Sequence, residues 1–253
     1  MGITIGTQVL RGEPSGGGGS VTDITAADIT DATSTGRDVL TGTAAEGLDA
    51  LHERTVYDFS SSSGWTTSGG TDGAASISGG NASVSLPGAT TAQWYGSTGH
   101  LTAPRIYRAA PRGDFTVRAR IRLSGANSLT RAGIYVRRAS VDARLAQIMV
   151  RDNGTLTAQT DSGSSFTDGV GGLITIAGDP WLRLDVRGGH YEYFVSDGDG
   201  TNTEPSDWTL LAVSATVATG SLPLDEVGFA VGQYNGGASG PTLRALRFIL
   251  RSL

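Results

Sequence analysis

Asp114-Phe-Thr-Val-Arg-Ala-Arg-Ile-Arg-Leu123 alternates without a break. Phe115, Val117, Ala119, Ile121 and Leu123 share one parity, and Arg118, Arg120 and Arg122 share the other. Side chains of a strand point alternately to its two faces, so this stretch predicts a strand with one apolar and one charged face. A sheet with one face on a core and one in water is the antiparallel kind.

Working outward, similar runs recur between turn signals. Ala132-Gly-Ile-Tyr-Val-Arg137 is one. Residues 144–151 and 155–160 flank Asp152-Asn153-Gly154, and 181–187 and 190–196 flank Gly188-Gly189. Both patterns read as hairpins. Residues 208–213, 227–234 and 243–250 complete the series. Regular spacing without helical intervals predicts an all-β sandwich or barrel.

Composition agrees. Gly accounts for 38 of 253 residues and charged residues for 17%. That suits short strands and many turns. The net charge of -5 points away from nucleic acid and anionic membranes. All 19 basic residues are Arg. With no Cys there is neither a disulfide framework nor a thiolate metal site. Neither a secretory leader nor a membrane-spanning run is expected.

The N-terminal part reads differently. Residues 1–20 comprise a short alternating segment (Ile3, Ile5, Val9) and a Gly-rich linker, which predicts an attachment peptide. Residues 21–55 hold two near-repeats, Val21-Thr-Asp-Ile-Thr and Asp28-Ile-Thr-Asp31, and a candidate short helix over 44–52. These pieces bury little surface alone, so the segment is expected to oligomerise. Residues 56–253 form the sandwich.

Two resemblances follow from these blocks. Ile29-Thr-Asp-Ala-Thr-Ser-Thr-Gly-Arg-Asp-Val-Leu-Thr41 resembles a segment of bacteriophage tail-fibre and related virion proteins. Gly113-Asp-Phe-Thr-Val117, Arg131-Ala-Gly-Ile-Tyr-Val-Arg137, Trp181-Leu-Arg-Leu-Asp-Val186, Tyr193-Phe-Val-Ser-Asp-Gly198 and Val227-Gly-Phe-Ala-Val231, in that order, resemble the concanavalin A-like lectin/glucanase superfamily. That resemblance implies a two-sheet antiparallel jelly-roll sandwich, one face of which binds glycans, behind a short extended or helical N-terminal anchor.

The superfamily includes glycoside hydrolases, which need two carboxyl groups flanking one bond. The Glu-x-Asp-x-x-Glu pattern of its active members is absent, since the Glu residues are Glu13, Glu46, Glu53, Glu192, Glu204 and Glu226. No Gly-x-Ser-x-Gly elbow accompanies His52, His100 and His190. The expectation is a non-enzyme without catalytic residues or an obligatory cofactor. Asp197, Asp199 and Asn202 offer oxygen ligands for calcium, although the same loop reads as a hairpin tip. Arg112-Gly113-Asp114 spells an integrin-binding tripeptide and also begins the deciding strand.

Sugars are held by aromatic faces ringed with polar groups. If Ile134, Val136, Ile148 and Val150 face the core, then Tyr135, Arg137, Gln147 and Met149 face outward. Residues 233–240 add a polar Gly-rich loop. The predicted carbohydrate site is Tyr135, Arg137, Gln147, Arg151, Gln233, Tyr234 and Asn235.

The combined expectation is a virion fibre, spike or decoration subunit at the particle surface, of a phage or a domesticated phage-like particle such as a gene-transfer agent. It would be a homotrimer, docked on capsid or tail proteins through its N-terminus and binding host polysaccharide, with no nucleic-acid partner and no membrane insertion. A purely structural decoration protein and a glycan hydrolase are the competing expectations.

Overall fold

The computed structural model describes residues 54–88, 90–92, 102–126, 130–138, 144–150, 156–161, 166–169, 178–188, 190–197, 200–214, 224–233 and 240–253. All fall within one unit, His52–Leu253. The readings of the attachment peptide and of the oligomerisation segment up to residue 53 lie outside them.

Every regular element among the described residues is a strand. In chain order they are β1 (Arg54–Tyr57), β2 (Thr66–Ser68), β3 (Ala74–Ser78), β4 (Asn81–Ser85), β5 (Arg105–Ala109), β6 (Phe115–Ser124), β7 (Thr130–Arg138), β8 (Arg144–Val150), β9 (Leu156–Asp161), β10 (Phe166–Gly169), β11 (Trp181–Arg187), β12 (His190–Ser196), β13 (Thr209–Val213), β14 (Glu226–Gln233) and β15 (Thr242–Ser252). They form two antiparallel sheets. Sheet A runs β13-β12-β11-β6-β15-β4-β3, with β1 also on β15, and sheet B runs β10-β9-β8-β7-β14-β5-β2. The protein is an all-β jelly-roll sandwich, as the sequence predicts.

The deciding stretch is β6, at the centre of sheet A. Phe115, Val117, Ala119 and Ile121 are fully buried and pack with Leu182, Leu184, Phe248 and Leu250 of the same sheet. Ile106, Ile134, Val136, Ile148, Val227 and Phe229 enter the same cluster from sheet B. Burying some 1.5–3 kcal/mol per large apolar side chain, this single core holds the sheets together. A register shift between Ala245 and Arg247 resets the alternation of β15, so that both Leu243 and Phe248 point inward. Tyr57, Phe59, Trp65, Phe229 and Phe248 close one part of the core with mostly edge-to-face ring contacts 5.0–6.3 Å between centroids.

The β11–β12 hairpin pairs Trp181 with Ser196 through to Arg187 with His190, as its sequence predicts. Asp114, the last residue of the integrin-like tripeptide, accepts a hydrogen bond from the Gly188 backbone N–H of that hairpin (3.1 Å). It serves the strand start.

Candidate functional site

The outer face of sheet B gathers the polar residues that alternation predicts. Register decides which side chains meet, because directly opposed residues share a face. Tyr107 of β5 lies opposite Gly228 of β14, Gly228 opposite Tyr135 of β7, and Tyr135 opposite Gln147 of β8. One rung along, Glu226 lies opposite Arg137. On the other side, Arg105, Ala230, Gly133 and Met149 form the next rung.

The floor of this row carries no side chain at its centre. A Cβ on Gly228 would stand 2.2 Å from the Ile106 carbonyl oxygen and 2.8 Å from the Tyr107 Cβ. At Gly133 it would stand 2.0 Å from the Ile148 carbonyl oxygen. Glycine is the residue that permits such close strand approach.

The polar groups engage one another. Arg137 Nη1 lies 3.4 Å from Glu226 Oε2, and the Tyr135 hydroxyl donates to the same oxygen at 3.5 Å. Burial, reinforced by the Glu226 carboxylate, holds the Tyr135 phenol well above its ordinary pKa. Tyr135 therefore stays protonated and remains a donor. The Arg105 guanidinium carbon lies 5.2 Å from the centroid of the Tyr107 ring, within cation–π range.

Tyr135, Arg137 and Gln147 thus share the face that the sequence assigns them. Facing outward does not leave them open, however. Tyr135 is 0% exposed and Gln147 1%. Tyr135 packs with Met149, Ala230 and Ala103, a residue just ahead of β5, in a second apolar cluster outside the main core. Arg105 and Tyr107 are half-buried and are the accessible members of the row. Gln233 sits elsewhere. It has the parity of Val227, Phe229 and Val231, faces inward opposite Thr130, and is fully buried. Arg151, Tyr234 and Asn235 lie outside the described residues.

Sequence reasoning missed Glu226, Tyr107 and Arg105. A lone acid at the head of the apolar run Val227-Gly-Phe-Ala-Val231 was a usable signal for the first. The other two sit on a short strand without clean alternation.

Of the calcium candidates, Asn202 meets Arg120 of β6. Asn202 Oδ1 accepts from Arg120 Nη1 at 2.9 Å, and the Gly200 carbonyl oxygen accepts from Arg120 Nη2 at 2.5 Å. A guanidinium therefore already occupies these oxygens. Asp197 is exposed, and Asp199 lies outside the described residues.

The site combines a phenol, an amide, a guanidinium and a carboxylate with two aromatic rings. Its accessible members, the Tyr107 ring and the Arg105 guanidinium, can stack on an apolar ring face and donate hydrogen bonds.

No known protein family matches this chain, and no curated protein matches it either. Solved structures do match its fold. A xylan β-1,4-xylosidase from Bacillus halodurans C-125 is similar over 78% of this chain and 39% of its own, at 12% identity and a TM-score of 0.57. The CBM2 module of the evolved Dit protein of Lactobacillus casei BL23 phage J-1 is similar over 79% of this chain and 96% of its own, at 13% identity and a TM-score of 0.51. The exoplasmic/lumenal domain of VIP36, in a form bound to calcium and mannobiose (Ca2+/Man2), is similar over 79% of this chain and 87% of its own, at 10% identity and a TM-score of 0.51. At such identities the likeness establishes the jelly-roll fold and nothing finer.

Proposed function

We propose that the sandwich is a non-catalytic carbohydrate-binding module on a phage-type virion structural protein. The observation that carries this reading is the convergence of Tyr107, Tyr135, Arg137, Gln147 and Glu226 on one outer sheet face. The reading draws support from the phage CBM2 module and the sugar-bound VIP36 domain among its structural neighbours. The tail-fibre-like segment over residues 29–41 supports placement on a particle. In this reading the chain ahead of β1 docks on capsid or tail proteins and associates as a trimer at the virion surface. Three weak sites would then act together on host polysaccharide.

Within the site, Tyr107 and Arg105 meet the sugar, while Tyr135 positions Glu226 and Arg137. Binding is expected without calcium, since Arg120 already takes the Asn202 oxygen among the calcium candidates. Catalysis is not expected: Glu226 is committed to Arg137 and Tyr135, and the family's carboxylate pattern is missing.

The test is a glycan array probed with the full chain in the presence and absence of EDTA. Binding should survive EDTA and fall about tenfold, near 1.4 kcal/mol, in Tyr107→Ala. Release of reducing sugar from a bound polysaccharide would restore the hydrolase reading, in keeping with the xylosidase likeness. The burial of Tyr135 and Gln147 favours a second reading, a decoration protein without ligand. Failure to bind any glycan or host envelope fraction would select it.

A further inference from the structure

A polar cleft of about 210 Å³ opens at one end of the sandwich, between β1, β15 and the end of β5. Thr55, Tyr57, Arg108, Pro111, Arg251 and Ser252 are among its lining residues, and none of the described lining residues is acidic. The volume is below the ~300 Å³ of sites that enclose a whole small molecule, so it suits one sugar residue or one substituent.

Arg108 is the unusual feature. It lies opposite Val227, which lies opposite Val136, so it occupies a register position that faces the core. Its guanidinium rests on the Tyr57 ring at 4.2 Å and near the Trp65 ring at 5.5 Å. Its Nε and Nη1 are buried without a hydrogen-bond partner among the described residues, and no described carboxylate pairs with it. Ring faces attract the cation but leave its in-plane N–H donors unused. Thr55 opposes Leu250 and Ser252 opposes Phe115, so two hydroxyls take inward-facing positions at the same mouth. A guanidinium beside hydroxyls, with no acid among the described lining residues to neutralise it, matches an oxyanion.

We infer that this cleft binds the acidic group, a carboxylate or a phosphate ester, of an anionic glycan. The inference rests on the glycan-binding reading above and specifies its ligand class. It adds a second contact point, away from the outer face of sheet B.

The test uses the full chain and calorimetry with three probes: trigalacturonate, an oligomer of glycerol phosphate, and neutral galactotriose. At least one acidic probe should bind, weaken as NaCl is raised, and lose tenfold or more in both Arg108→Gln and Ser252→Glu. Galactotriose should respond equally to all three proteins. Which acidic probe binds separates carboxylate from phosphate. Ser252→Glu leaves Arg108 on its rings, so it tests the cleft even if Arg108→Gln unfolds, which a thermal melt would show. The inference is overturned if no acidic probe binds, if acidic probes bind both variants as they bind the parent, or if the folded variants lose neutral and acidic probes alike. Acidic probes that bind independently of the cleft overturn this inference alone. Absence of binding to every probe and every array glycan overturns the reading of sheet B as well.

Discussion

The two outer faces of the sandwich are built on opposite principles. On the outer face of sheet A, six arginines share three carboxylates. Arg118 and Arg54 pair with Glu204, Arg120 and Arg122 with Asp179, and Arg183 and Arg187 with Asp185. Arg183 also lies 4.5 Å from the Phe194 ring centroid and 5.7 Å from that of Trp208. These contacts hold Asp179 and the 200–204 stretch against the sheet. The outer face of sheet B has a single ion pair among its described residues, Arg137 with Glu226, set among tyrosines, an amide and glycines. Abundant charge on a face is therefore poor evidence of a ligand site. What matters is whether the charges already have partners.

The largest expected effect lies on sheet A. The Asp185 carboxylate is fully buried and receives Arg183 Nε at 2.8 Å and Nη2 at 2.5 Å, with Arg187 Nη2 at 3.5 Å. Removing one partner of a buried pair leaves the other charge uncompensated. Asp185→Ala should cost about 3–5 kcal/mol in denaturant unfolding and leave glycan affinity per folded molecule unchanged. A loss below about 1 kcal/mol would mean that this set of ion pairs behaves like an ordinary exposed surface.

The matching effect on sheet B is steric. Valine is favoured in strands, so propensity alone ranks Gly228→Val as stabilising. The close approach of the Ile106 carbonyl and the Tyr107 side chain reverses that ranking. The variant should lose about 3 kcal/mol, at the upper end of overpacking costs. It should also push Tyr107 from its place, so glycan binding and stability fall together. A stable variant with intact binding would show that the side-chain-free floor has no role.

The same contrast explains what the sequence made legible. β6, β7 and the β11–β12 hairpin alternate cleanly, so their faces could be read directly. β3 (AASIS) and β4 (NASVS) carry so little apolar surface that alternation gives no signal. β4 becomes a strand where β15 offers Leu243 and Ala245 opposite Val84 and Ala82, and β3 adds to β4 with Ala75 and Ile77 opposite the same two residues. Parity also placed Tyr135, Arg137 and Gln147 on one face, and the same counting places Gln233 inward with Val231. Burial was not legible, because Ala103 packs on that face from a segment distant in sequence. Nor was the meeting of Glu226 with Arg137 and Tyr135, or the place of Tyr107 on the Tyr135 rung, which depend on the register of three strands. Arg108 illustrates the limit: its position is inward, but only the rings of Tyr57 and Trp65 show how a charge is tolerated there.

The smallest effects sharpen the comparison through pH. Tyr135 on sheet B has a folded-state pKa raised by burial and by Glu226. Its contribution is fully present below the unfolded tyrosine value of about 10 and is lost as pH rises toward the folded value. Tyr135→Phe should therefore flatten the alkaline limb of stability and leave the acid limb alone. Asp179 on sheet A behaves in the opposite sense. The Arg122 hydrogen bond, with the Arg122 and Arg120 charges, holds its carboxyl below the ordinary range against a smaller opposing effect of burial. Its contribution is present above the unfolded value of about 3.9 and is lost as pH falls through the depressed folded value. Because the Arg122 side chain is 53% exposed, solvent screens the pair and its contribution is small. The stability difference between the parent and Asp179→Asn should be constant above about pH 5, shrink as pH falls below about 4, and narrow with added salt. If Asp179→Asn instead altered the alkaline limb, or Tyr135→Phe the acid one, the two faces would be coupled through the core, and the division of labour between them would fail.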